Sequence, residues 1–232
     1  MINFYLGLDL GQVSDYTALA LVEKVKEPTG EKRVWYSGNG ASRRYAERAR
    51  LHREEDITED RFLLRYLERL KLGTPYPDVA RHVTELLATP ELAKKTQCIV
   101  DATGVGRPVV DMLREAKVKP LVAVTITGGD AVTKVETGRY FEPEFRVPKR
   151  DLVSTLQVLL QNDRLKIAEG LPLAQILVRE MQNFRMKISL ATGHDSYEAW
   201  REGDHDDLVL AVAMACWYAK TQYQPTSGFY SV

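Results

Sequence analysis

Residues 97–127 read QCIVDATGVGRPVVDMLREAKVKPLVAVTIT, and this stretch decides the fold class. The run QCIV is short, apolar and partly β-branched, as a buried strand requires, and it stops at the glycine-containing turn DATGVG. PVVDMLREAK has the spacing of an amphipathic helix, and LVAVTIT (121–127) is a second buried strand. A strand, a helix and a strand in so few residues form a crossover unit, which belongs to a parallel sheet covered by helices. The chain is therefore predicted to be α/β.

Working outward, INFYLGLDL (2–10) and TALALVEKV (17–25) read as two strands joined by the polar turn GQVSDY, with KRVWYSG (32–38) able to extend them. Charge then segregates. Residues 43–53 (RRYAERARLHR) carry five Arg against one Glu, and 54–60 (EEDITED) carry five acidic side chains, a pattern typical of solvated faces and loops. The segment RFLLRYLERLKL (61–72) fits a strand face and a helical stripe equally well. Pro77 suits the first turn of a helix running to about Ala88. KVETGRYFEPEFRVP (134–148) is expected to be irregular or a hairpin, DLVSTLQVLLQN (151–162) a helix, and RLKIA (164–168) an edge strand. A helix over LPLAQILVREMQNF, a short strand in RMKISLATG and a last helix from GDHDD to about Gln222 complete the chain. With no repeat and no linker, residues 1–232 are expected to form one domain, with a charged insertion at about 31–60 and a flexible tail at 222–232.

Of the 232 residues, 32 are Lys or Arg and 32 are Asp or Glu, so the formal net charge is zero. That balance excludes a strongly basic packaging protein and an acidic disordered tail, but not a local basic stripe. Cys98 and Cys216 both lie in apolar runs, where buried reduced thiols are expected. No stretch reaches the ~18 apolar residues of a membrane span, and MINFYLGLDLG lacks a basic leader region and a cleavage site, so a soluble intracellular protein is expected.

Three acidic positions resist a purely structural account. Asp9 sits inside the first apolar strand, Asp101 ends the Cys-Ile-Val strand, and Asp206 with Asp207 opens a helix that is apolar all round (LVLAVAMACW). A carboxylate at the end of a core strand is costly unless it is paired or binds a cation. Taken singly, Asp9 before Gly11 would also serve as an Asx-type turn residue, Asp101 as a cap of the helix that begins near Val105, and Asp204 or Asp206 as an N-cap of the last helix. Converging on one sheet, they favour a metal site. Short hard oxygen ligands of this kind hold two Mg²⁺ or Mn²⁺ ions ~4 Å apart, one activating the attacking water and the other stabilising a leaving 3′-oxygen. His205, beside the pair, is a candidate for proton transfer or metal binding, and equally for a partly exposed helix-cap histidine.

The combination of YLGLDLG with DYTAL, LERLKLGTPYPDV, IVDATGVGRPVVDML, VPKRDLVSTLQVLLQNDRLKI and HDDLVLAVAMA resembles the nuclease domain of phage large terminase subunits, from about residue 4 to 219. DATGVG and HDDLVLA are its specific parts. The resemblance implies an RNase H-like, resolvase-like fold with a mixed sheet of about five strands, the first three antiparallel and the next two parallel, flanked by helices. It makes LERLKLG the third strand.

It also implies a metal-dependent endonuclease cutting duplex DNA with two Mg²⁺ or Mn²⁺ ions, whose acidic residues fall on Asp9, Asp101, Asp206 and Asp207, with Asp207 preferred of the last pair. Asp15 and His205 are auxiliary candidates. Expected phosphate contacts are Lys149 and Arg150 at the start of the leucine-rich helix, and the stripe Arg43, Arg44, Arg48, Arg50 and Arg53. Expected partners are double-stranded DNA and a separate or fused packaging ATPase, portal or small terminase, in a bacterial host's cytoplasm. No G-x-x-x-x-G-K-[ST] occurs in the chain, so no P-loop ATPase is encoded in it. Met1 directly before the first strand favours a stand-alone gene over an excised domain.

Three other readings compete. A Holliday-junction resolvase of the same fold would use the same Asp residues. A sugar-kinase or actin-like ATPase would explain GLDLG and DATGVG as phosphate loops, but needs two such domains and more chain than this. A non-catalytic RNase H-like docking module would have no reason to keep costly carboxylates.

Overall fold

The computed structural model describes residues 2–11, 15–36, 52–104, 106–135, 143–188, 195–199 and 205–221. Strand β1 (Phe4–Asp9) pairs antiparallel with β2 (Ala18–Tyr36), from Phe4 opposite Glu23 to Asp9 opposite Ala18. The segment that was ambiguous by spacing is strand: β3 (His52–Arg69) lies next to β2 in the sheet. Helix α1 (Tyr76–Leu87) has its proline in the first turn. The crossover unit follows as β4 (Thr96–Asp101), α2 (Gly106–Glu115) and β5 (Leu121–Thr127), with β4 parallel to both β1 and β5.

Strands β6 (Thr133–Val135) and β7 (Glu144–Pro148) form an antiparallel pair, and β7 runs parallel to β5. Helix α3 (Lys149–Gln161) leads to β8 (Leu165–Ile167), which is indeed an edge strand, parallel to β3. Helix α4 (Ala174–Asn183), the pair β9 (Phe184–Ile188) and β10 (Asp195–Ala199), and helix α5 (Asp207–Thr221) complete the order. No described helix is long and apolar enough to cross a membrane.

The main sheet has eight strands in the order β6-β7-β5-β4-β1-β2-β3-β8, not about five. The three additions, β6, β7 and β8, are three to five residues long. The edge strand expected at 164–168 is β8, and the segment expected as irregular or a hairpin is β6 and β7; at that length the alternation of side chains hardly repeats, so the sequence does not show that all three join the main sheet.

By internal contacts the chain divides into two units, residues 1–24 with 62–232, and residues 25–61. In the first, side chains alternate across the sheet as the two-residue strand period demands. Tyr5, Ile99, Val122 and Val124 join the core formed with α3, α4 and α5, whereas Leu6, Leu8, Cys98, Val100, Leu121 and Ala123 join that formed with α1 and α2. The sheet is thus sandwiched between two helical layers. Helix α5 is buried from Asp207 to Ala219, as its unbroken apolar sequence requires. Both cysteines are buried and neither forms a disulfide, and burial pushes the Cys216 thiol up to about 12.

The second unit holds the distal parts of β2 and β3. Thr29 Oγ1 donates to Ile57 O (2.9 Å) and Lys32 Nζ pairs with Glu54 Oε2 (2.9 Å), so residue numbers rise on one strand as they fall on the other, as in an antiparallel ribbon. The expected arginine stripe at 43, 44, 48 and 50 lies outside the described residues, as does the expected tail at 222–232, while Arg53 is exposed.

Several polar side chains are buried within the first unit, Glu144, Glu180 and Asp207 among them. Glu144 on β7 is 5% exposed and accepts from Arg107 (2.7 Å) and Arg114 (3.2 Å) of α2. Burial alone would raise its carboxyl, but the two guanidinium groups outweigh it and hold the group below the usual range. A depressed value stabilises the fold above the ordinary carboxylate pKa, and that stability fades as pH falls through the folded value. Glu144→Gln is therefore expected to destabilise by about 1–2 kcal/mol at neutral pH, discounted because Arg107 is half exposed. Urea melts at several pH values should show this deficit shrinking below the ordinary carboxylate value of 4.5.

Candidate functional site

The alternation that builds the core also builds the site. Asp9 shares a face with Tyr5 and Gly7 on β1, and Asp101 shares one with Ile99 on β4, so both point to the side covered by α5. The parallel register sets Leu8 beside Val100, which brings the two Asp residues level at the carboxyl ends of neighbouring strands. Helix α5 lies directly on β1 there: a Cβ on Gly7 would fall 2.0 Å from the Ala211 carbonyl oxygen. This contact delivers the helix N-terminus, with Asp206 and Asp207, to the same end of the sheet.

Asp101 Oδ1 accepts from Thr103 N–H (2.8 Å) and Thr103 Oγ1 (2.5 Å), and Thr103 Oγ1 in turn accepts from Ile126 N–H (2.8 Å). Asp101 thus holds the turn at Thr103, ahead of the helix that starts at Gly106, while keeping its place in the cluster. Asp9 and Asp101 are near enough for a protonated carboxyl on one to donate to the other, so the two titrate together. Burial, and then the Asp101, Asp206 and Asp207 carboxylates, hold Asp9 well above the usual range, with Lys149 opposing. Burial also raises Asp101 against the opposing pull of the Thr103 hydrogen bonds and Lys149.

On the other side of the site, Arg69 at the end of β3 bonds Glu180 of α4, and its Nε lies 2.7 Å from Asp207 Oδ2. Neither Arg69 Nε nor Asp207 Oδ2 completes a hydrogen bond of good direction, although both are buried. Burial raises Asp207 despite Arg69 and His205, and burial likewise pushes Glu180 up to about 7 despite Arg69. Glu180 Oε2 also accepts the Val209 N–H (3.3 Å), filling one of the donors left open at the start of α5. The Arg69 guanidinium stacks on Tyr16 at 5.0 Å, and Tyr16 meets the edge of His205 at 5.1 Å. His205 Nδ1 is 3.6 Å from Asp207 Oδ1.

The expected phosphate contacts are placed differently from one another. Lys149 Nζ reaches into the acidic cluster, 2.8 Å from Asp206 Oδ2. Arg150 is held by Asp130, through both its carbonyl (2.7 Å) and its carboxylate (2.8 Å). Asp15 is exposed in the turn before β2. Arg69 and Glu180 escaped the sequence reading. The one available sign was Glu180, three residues after the buried Leu177 and so on the inner face of α4.

Among the described residues no group of three or more His, Cys, Asp or Glu side chains is set to hold a metal ion as it stands. The partners explain why: Lys149 and Arg69 compensate Asp206 and Asp207, and Asp101 is drawn to Thr103. The donor chemistry nevertheless fits a hard divalent cation. It offers carboxylate oxygens, a carboxyl destabilised in its charged form by three neighbours, and an orphaned buried oxygen on Asp207.

No protein-family model and no curated protein sequence matches the chain. Among solved structures it is similar to the large terminase nuclease from thermophilic phage G20c, with 16% identity over 96% of this chain and 83% of that one at a TM-score of 0.54. It also resembles, at a TM-score of 0.48 each, the nuclease domain of the bacteriophage SPP1 large terminase with bound Mn (14% identity, 95% and 87% covered) and the Mn-soaked human cytomegalovirus terminase nuclease domain (13%, 93% and 83%). Built on a mixed sheet between two helical layers, this chain has the RNase H-like fold of the large terminase nucleases.

Proposed function

We propose that this chain is a divalent-metal-dependent endonuclease acting on double-stranded DNA, the cutting module of a viral genome-packaging machine. One observation carries the reading: in a terminase-nuclease fold, Asp9 and Asp101 stand level on adjacent parallel strands and meet Asp206 and Asp207 at the head of a buried helix. When bound, two Mg²⁺ or Mn²⁺ ions would supply Lewis-acid activation of water and charge stabilisation at the leaving 3′-oxygen. Asp9, Asp101, Asp206 and Asp207 would hold them.

In this reading Lys149, paired with Asp206, would move to a DNA phosphate, and His205, partly exposed beside Asp207, would pass a proton to solvent. Arg150 and the arginines of the 31–60 segment would track the backbone. In this reading the chain is one nuclease domain that carries the 31–60 segment as an insertion and works in the host cytoplasm with a packaging ATPase, portal or small terminase.

The test is cleavage of supercoiled plasmid, linear duplex and a four-way junction in Mg²⁺ or Mn²⁺, with chelator as control. Metal-dependent cutting of plasmid and duplex, lost in Asp101→Ala, is expected. Full activity in that variant would overturn the assignment, and a strong junction preference with paired symmetric nicks would replace packaging by junction resolution.

A further inference from the structure

The acidic cluster carries two basic side chains, and they differ in a way that bears on how cations load. Lys149 has a side chain 28% exposed and ends in a flexible ammonium, so it can turn from Asp206 into water. Arg69 is 14% exposed, bonded to a Glu180 side chain that is 6% exposed, and stacked on Tyr16. Moving it out would strand the buried Glu180 carboxylate, which also accepts the Val209 N–H at the head of α5. Yet Arg69 gains little from Asp207 in hydrogen bonding: Nε and Oδ2 are 2.7 Å apart and neither is satisfied. Glu180 and Tyr16 hold the guanidinium beside Asp207 in addition to the attraction of the Asp207 charge itself.

Resting on the functional reading above, we propose that Arg69 is a positioning residue, a resident positive charge that Glu180 and Tyr16 keep at Asp207 and that makes the two cation positions unequal. The position built on Asp9, Asp101 and Asp206 faces the more exposed Lys149 as its cationic competitor and binds tightly. The position that draws on Asp207 must form against a charge that stays, and binds weakly. A fixed positive charge within a few ångströms opposes a divalent ion strongly enough, even with protein-like screening, to weaken it by at least about tenfold.

Calorimetric titration of the full chain with Mn²⁺ alone tests this without reference to cleavage. The wild type is expected to show one site at least about tenfold tighter than a second. Arg69→Gln should tighten the second site by about that factor and leave the first nearly unchanged, Arg69→Lys should retain the gap, and Lys149→Gln should tighten the first site instead. Asp207→Asn, which removes a buried charge and is expected to fold, should abolish the weak site and spare the tight one. Two equal sites in the wild type, or loss of the tight site in Asp207→Asn, overturn the inference even if Arg69→Gln fails to fold. Absence of any Mn²⁺ binding overturns the inference and the functional reading together. Unequal binding without DNA cleavage sinks the functional reading alone.

Discussion

Asp9→Asn is expected to lower metal-dependent DNA cleavage by roughly 10²–10³-fold while making the metal-free protein more stable. The two effects have one cause. Asp9 is sunk at the end of a central strand, and Asp101, Asp206 and Asp207 all act against its charge, with Lys149 giving partial relief. In the absence of a cation the ionised carboxyl is a liability, and an amide of the same shape removes it. A gain of about 1 kcal/mol, seen as a rise of ~2–4 °C in Tm, is the expected size for a domain of this length. The same amide is a poorer ligand for a hard divalent ion, and so the charge that destabilises the empty protein is the one the reaction needs. Plasmid nicking assays and thermal melts on the same preparations check both halves. An Asp9→Asn protein that melts lower and cuts normally would falsify the view of Asp9 as a strained ligand and make it an ordinary structural carboxylate.

The second large effect lies away from the chemistry. Gly7→Ala is expected to destabilise by about 3 kcal/mol or more, because the added methyl has nowhere to go. Its Cβ would sit 2.0 Å from the Ala211 carbonyl oxygen and 3.3 Å from the Ala215 amide nitrogen, both backbone atoms of a helix that is buried on all sides. The helix cannot retreat without opening the core shared by β1, α3 and α5. Any retreat it does make draws Asp206 and Asp207 away from Asp9 and Asp101, so residual folded protein should also lose cleavage. Chemical denaturation gives the stability change. Gly30→Ala, in the 25–61 unit with open space around it, is a useful contrast: its positive φ predicts only the modest strain of an L-residue in the left-handed region.

How much of this was legible beforehand differs from one element to another. The crossover unit at 97–127 and the apolar run after Asp207 were readable because buried strands and a fully buried helix have an unmistakable composition. The 61–72 segment was not, because Phe62, Tyr66 and Leu70 satisfy both periods; pairing with β2 and β8 decides it. By sequence Lys149 is a phosphate contact at a helix start, and only the fold brings its ammonium to Asp206, 57 residues on.

The sequence by itself determined the layers and the acidic candidates. Burial follows local hydrophobicity, and a carboxylate in an apolar strand is conspicuous without any partner in view. Only the tertiary structure decided which charges answer them. Arg69 and Glu180 lie 111 residues apart in the chain, and beyond the place of Glu180 on the inner face of α4 nothing local marks the pair. Their pairing exists because β3, α4 and the head of α5 converge, and ion pairs depend on distance in space, which the order of residues along a chain does not encode.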